Sequence, residues 1–125
     1  MAYKNYKKHY RIFSKPKGYY EACDILAFKS KWEGFQKYKD LLNKSIKKAK
    51  SINRKLIGAD ICCGGYAWLP RHLLKDFNII YCVDINSIVF KDKIFKKKKV
   101  ISIIADASKK LPISRESLNF IYCGY

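Results

Sequence analysis

The chain has 125 residues, enough for one domain around one core. Hydrophobic residues make up 49% and aromatic residues 15%, too much apolar surface for a disordered tail. No run approaches the ~18–20 apolar residues of a membrane span, and the Tyr- and Lys-rich start lacks the apolar core of a signal peptide, so a soluble cytoplasmic protein is expected, with no membrane partner.

Lys and Arg outnumber Asp and Glu 27 to 10, a net charge of +17 that would attract polyanions, nucleic acid first among them. The excess is uneven. Residues 1–57 hold 16 basic and 4 acidic side chains, against 11 and 6 in residues 58–125. The odd set of cysteines, Cys23, Cys62, Cys63, Cys82 and Cys123, has no C-x-x-C spacing, which argues against a zinc cluster or a closed disulfide framework and for reduced, mostly buried thiols.

The first 30 residues show no clean periodicity and read as a basic, aromatic arm turning at Pro16 and Gly18. From 31 to 50, Trp32, Phe35, Tyr38, Leu42, Ile46 and Ala49 recur at steps of three and four with lysines between them. That spacing predicts an amphipathic helix ending near 51–53, its stripe docked on a sheet and its lysines forming a basic exterior. Residues 1–54 are therefore taken as an arm and helix, and 55–125 as the domain that follows.

Residues 56–62 form a short apolar run that ends at Gly64 and Gly65, and helical spacing returns over 66–75. Strand, tight turn, helix is the parse, with Pro70 tolerated only in the first helical turn. A second strand is expected over 77–84, a helix around 87–95, a third strand over 100–105 and a fourth over 117–123. Continuous apolar strands separated by helical segments predict an α/β fold with a parallel sheet covered on both faces. The link from Ala107 to Ser117 is short for a helical crossover, but eleven extended residues reach ~36 Å, so a helix-poor crossover suffices. The lysines at 96–99 resemble a nucleic-acid patch but fall before the third strand, opposite the strand ends where ligands bind, and are read as a solvated turn. His9 and His72 stand alone and are expected to be solvated.

In open parallel sheets, ligands bind outside the carboxyl ends of the strands. Three such ends carry distinctive chemistry here. Asp60 precedes the small residues Cys62, Cys63, Gly64 and Gly65, where the backbone can approach a ligand. Asp84 ends the second strand, at a position where a carboxylate can accept from both ribose hydroxyls. Asp106 and Ala107 follow the third strand, ahead of Leu111-Pro112 and the run from Ser117 to Ile121. As ordinary strand-end carboxylates, each of these aspartates would simply cap the segment that follows.

Taken in order, these residues resemble class I S-adenosylmethionine-dependent methyltransferases, of the type 11-like group that includes quinone-biosynthesis and small-molecule enzymes. The stretch IIADASKKLPISRESLNFIYC looks like that family's third and fourth motifs. The resemblance spans about Leu56 to Tyr125. It implies a Rossmann-like methyltransferase fold, a parallel sheet of order 3-2-1-4 preceded by an N-terminal helix. It also implies that Asp60 and the turn through Cys62, Cys63, Gly64 and Gly65 hold the methionine part of S-adenosylmethionine. Asp84 with Ile85 would hold the ribose and Asp106 with Ala107 the adenine edge, and Cys123 closes the set at the end of strand four. Cys62 and Tyr66 stand where the family has glycines, and Asn119 where it commonly has Asp. The family's sheet has seven strands and four are legible here, so the expectation is a truncated frame, a fragment or one piece of a split enzyme associating through the strand-four edge. The methyl acceptor is unknown, a small molecule being favoured over RNA, and no catalytic base is assigned. The competing readings are a degenerate basic module that binds RNA and a nicotinamide-dependent oxidoreductase, which would require G-x-G-x-x-G.

Overall fold

The computed structural model describes residues 33–123, with side chains from 37 onward except that of Tyr38. The arm, with its turn at Pro16 and Gly18, and Trp32, Cys23 and His9 lie outside the described residues, as do the side chains of Phe35 and Tyr38. The chain divides into two compact units, Met1–Asp40 and Leu41–Tyr125. The sheet belongs entirely to the second.

Helix α1 spans Glu33–Ile52, close to the 3.6-residue apolar pattern that predicts it. Within the second unit Leu42 and Ile46 are buried, Ile46 and Ala49 pack on the core, and Leu41 and Ile52 face solvent. Strand β1 (Ile57–Ile61) is followed by α2 (Trp68–Leu73), which holds Pro70 in its first turn, as required. Strands β2 (Ile79–Asp84), β3 (Val100–Ile104) and β4 (Phe120–Cys123) complete a sheet of order β3-β2-β1-β4 in which every pairing is parallel. The sheet order and α/β character agree with expectation. The link from β3 to β4 crosses without a helix.

The helix expected around 87–95 is instead two 3-10 turns, Ser87–Lys91 and Lys93–Lys96. Asn86 and Asp92 account for the difference: their side chains accept the amides of Ile88 and Ile94, and Asp92 itself is extended, with φ −67° and ψ 147°. Such local bonds compete with the i to i−4 ladder and restart the chain.

Two asparagines flank the entry to β1. Asn78 donates its amide to the Leu56 carbonyl at 2.8 Å and accepts from the Leu56 amide at 3.1 Å. Asn119 does the same with Ile57, at 2.8 and 2.9 Å, and its side-chain amide donates to Asn53 Oδ1 at 3.1 Å. The last bond needs an amide. An Asp at 119 has no N–H to give.

Register partners share a face of the sheet, so Gly58, Ile80, Val100 and Phe120 lie together. Ile80, Val100 and Phe120 pack with Ile46, Leu69, Phe77, Ile94 and Phe95 in the main core. On the opposite face Ala59 and Val83 are buried at the centre, whereas Ile101 and Ile121 on the outer strands are exposed. Full cover of both faces is therefore reached in the middle of the sheet and not at its edges. No helix among the described residues is long and apolar enough to cross a membrane.

Candidate functional site

Parallel pairing sets Ile61 beside Val83 and Cys123, and Asp84 beside Ile104, so all four carboxyl ends open on one rim. The ladder continues past the strands: Cys63 N donates to Val83 O at 3.1 Å and Ala105 N to Asp84 O at 3.0 Å. Asp60, Asp84 and Asp106 thus reach the same rim, as the sequence predicts.

Their local roles differ. Asp60 is 1% exposed, and its Oδ2 accepts the Leu69 amide at 3.0 Å. Ala67, which precedes α2 in the left-handed region, offers no side-chain cap, so Asp60 reaches from β1 to serve the helix start. Burial pushes its carboxyl from 3.8 up to about 7, against the pull of the Leu69 amide and with a further push from Asp84.

Asp84 holds the turn. Its Oδ2 accepts the Gly64 amide at 3.0 Å and its Oδ1 the Asn86 amide at 2.9 Å. Each oxygen retains a further lone pair for a donor. Asp106 is half-exposed and takes both the amide and the hydroxyl of Ser108 on one oxygen, at 2.9 and 2.6 Å. The Ser108 hydroxyl first and its amide second hold that carboxyl below its usual value.

The turn after β1 is built from left-handed residues, Cys62 at φ 56° and Gly64 at φ 59°. Cys62, where the resemblance expects glycine, adopts a conformation that costs a side-chain-bearing residue about 1–2 kcal/mol. Its thiol is exposed, and so is that of Cys123 at the end of β4, which corrects the expectation of buried cysteines for this pair. Cys63 and Cys82 are buried as expected, in contact with each other, and that contact followed by burial raises the Cys63 thiol. The Cys62 thiol is raised by desolvation first and then by the fields of Cys123, Asp84, Asp60 and Asp106, the electrostatic mark of groups gathered on one rim.

Ile85 and Ala107, the remaining predicted site residues, are exposed beside Asp84 and Asp106. Sequence reasoning missed Ile104, 62% exposed and in register with Asp84, and the equally exposed Ile88, whose amide bonds to the Asn86 side chain. The exposed end of an apolar strand was the available signal for Ile104. Also missed was an aromatic group on α2: Trp68 stacks on Tyr122 with ring centroids 5.5 Å apart, and His72 meets the Tyr66 hydroxyl at 2.8 Å. His72 is half-buried there, not solvated, and Tyr66 is turned inward at 3% exposure. The signal was Trp68 and His72 at i, i+4.

The rim therefore offers carboxylate acceptors beside a tight turn with exposed isoleucines, suited to a ligand with hydroxyl or cationic nitrogen donors and an apolar plane. No group of three His, Cys, Asp or Glu among the described residues is arranged to hold a metal ion. No family model, curated protein or solved structure matches this chain.

Proposed function

We propose that the chain is the cofactor-binding half of a Rossmann-like methyltransferase that uses S-adenosylmethionine, with a small molecule favoured as acceptor. The supporting observation is the convergence of Asp60, Asp84 and Asp106 with the Cys62 to Gly65 turn on one rim of a sheet of order β3-β2-β1-β4. When bound, S-adenosylmethionine supplies an electrophilic methyl group on a sulfonium, so the protein's task is to hold and align it.

In this reading Asp84 accepts from the ribose hydroxyls with the lone pairs left by Gly64 and Asn86, and Ile85 lies against the same sugar. Asp106 and Ala107 meet the adenine edge. Asp60, when ionised, attracts the ammonium of the methionine part through the turn, and Cys123 stands on the same rim at the end of β4. Tyr66, at a family glycine position, is buried, and its hydroxyl meets His72.

Calorimetric titration of the chain with S-adenosylmethionine tests the reading. Asp84→Asn keeps the shape but loses the charge and one acceptor, and should weaken binding about tenfold, or ~1.4 kcal/mol. A folded wild-type chain that binds no S-adenosylmethionine, or an Asp84→Asn variant that binds it equally well, refutes it.

A further inference from the structure

A sheet with only parallel pairings sorts its connections. Every segment that enters a strand lies at one rim, and every segment that leaves lies at the other. In this chain the sorting also concentrates basic charge at the entering rim. Arg54 and Lys55 enter β1, Lys75 enters β2, the lysines at 96–99 enter β3 and Arg115 enters β4, and all of these side chains are exposed. Of the acids in the same segments, Asp76 is paired with Lys50 at the end of α1 and only Glu116 remains. The leaving rim carries the aspartates at 60, 84 and 106, the first of them buried, together with the exposed Lys109 and Lys110 that follow β3. Five residues of strand, ~17 Å, separate the two rims.

We propose that the entering rim is a docking surface for the phosphodiester backbone of a nucleic-acid duplex, gripped by charge and without base recognition. Four strands span three spacings, ~14 Å. A duplex presents one phosphate charge per ~1.7 Å of axis, so several phosphates face a rim of that width. Lysine dominates, and its flexible ammonium meets phosphate as a point charge. Among the described residues, the exposed ones entering the strands include no aromatic side chain that could stack on bases, which favours a duplex over single strands. Among the described residues Ile52, Ile101 and Ile121 are the large apolar side chains exposed toward this rim, on three separate elements and not on the one continuous helical face that seats in a bilayer. The site anchors nucleic acid a strand's length from the acidic rim and is independent of whether that rim binds S-adenosylmethionine.

The test is fluorescence anisotropy of the full chain with a labelled RNA duplex of about 20 base pairs, and a DNA duplex of the same sequence, over a salt series. Two variants with the same change in net charge are compared. K97E/K98E alters the entering rim, and K109E/K110E alters the segment leaving β3. The first should weaken binding roughly tenfold or more and lower the salt slope by about 2, and the second should weaken it less than about threefold. RNA and DNA duplexes should bind within a few-fold of each other. Equal losses in the two variants, unchanged binding by K97E/K98E, no binding of either duplex by the wild type at low salt, or tighter binding to phosphatidylserine vesicles than to the duplex would each overturn the proposal.

Discussion

Asp60 does two things that its place in the sequence reveals only in part. An aspartate closing an apolar run before small residues is readable as a rim carboxylate. That it is almost fully buried, accepting from an amide nine positions later, depends on α2 folding back over β1, a tertiary event with no local trace. The consequence is a pH dependence of defined sign. The folded carboxyl titrates at about 7 and the unfolded one near its ordinary value of 3.8, so between these pH values the folded state binds more protons. The stabilisation is fully present below the lower value and is lost as pH rises through the upper one. Denaturant titrations at pH 5 and pH 8 should give a wild-type difference about 2 kcal/mol larger than that of Asp60→Asn, which keeps an acceptor for Leu69 and does not ionise. Identical pH profiles for the two proteins would remove Asp60 as the titrating group. Cys62 shows the opposite limit of legibility: its small size suited the turn, but neither its left-handed backbone nor its exposure could be read from the run in which it sits.

The strands were legible as elements because unbroken apolar runs between breakers have few alternatives, and α1 because its period is regular. The segment at 87–95 was not. Its apolar spacing suits a helix, and the outcome turned on two polar side chains, Asn86 and Asp92, that bond locally and divide it. Asp92 is further held by Arg71 of α2 at 3.1 Å, a contact that no local pattern announces. A similar long-range constraint fixes Gly58 on β1. A methyl group added there would come within 2.5 Å of the Phe77 ring, which is itself 2% exposed and has little room to move. Gly58→Ala should therefore destabilise the protein by about 2 kcal/mol, in spite of alanine's better fit to regular backbone, as measured by urea unfolding. A variant as stable as wild type would mean that the ring can shift at little cost.

At the scale of the molecule, the sheet order agreed with the sequence-based expectation, and the short link before β4 was long enough to cross it. That the lysines at 96–99 lie opposite the strand ends bearing the aspartates was legible from the strand order; that Arg54, Lys55, Lys75 and Arg115 join them on one rim emerges only when the strands align. The same order has a consequence for how the chain opens. Leu56 bonds with Asn78 across 22 positions, whereas Ile57 bonds with Asn119 across 62, and β4 touches the sheet along β1 alone. Closing the longer loop costs about 0.9 kcal/mol more entropy for a strand of only four residues. Native-state hydrogen exchange should find the β4 amides, and the β1 amides that face them, released in openings that leave β2 and β3 protected, and uniform protection across the sheet would contradict this. The strand with the costliest closure is thus the first surrendered, and each such opening bares a border of β1 to any other extended peptide.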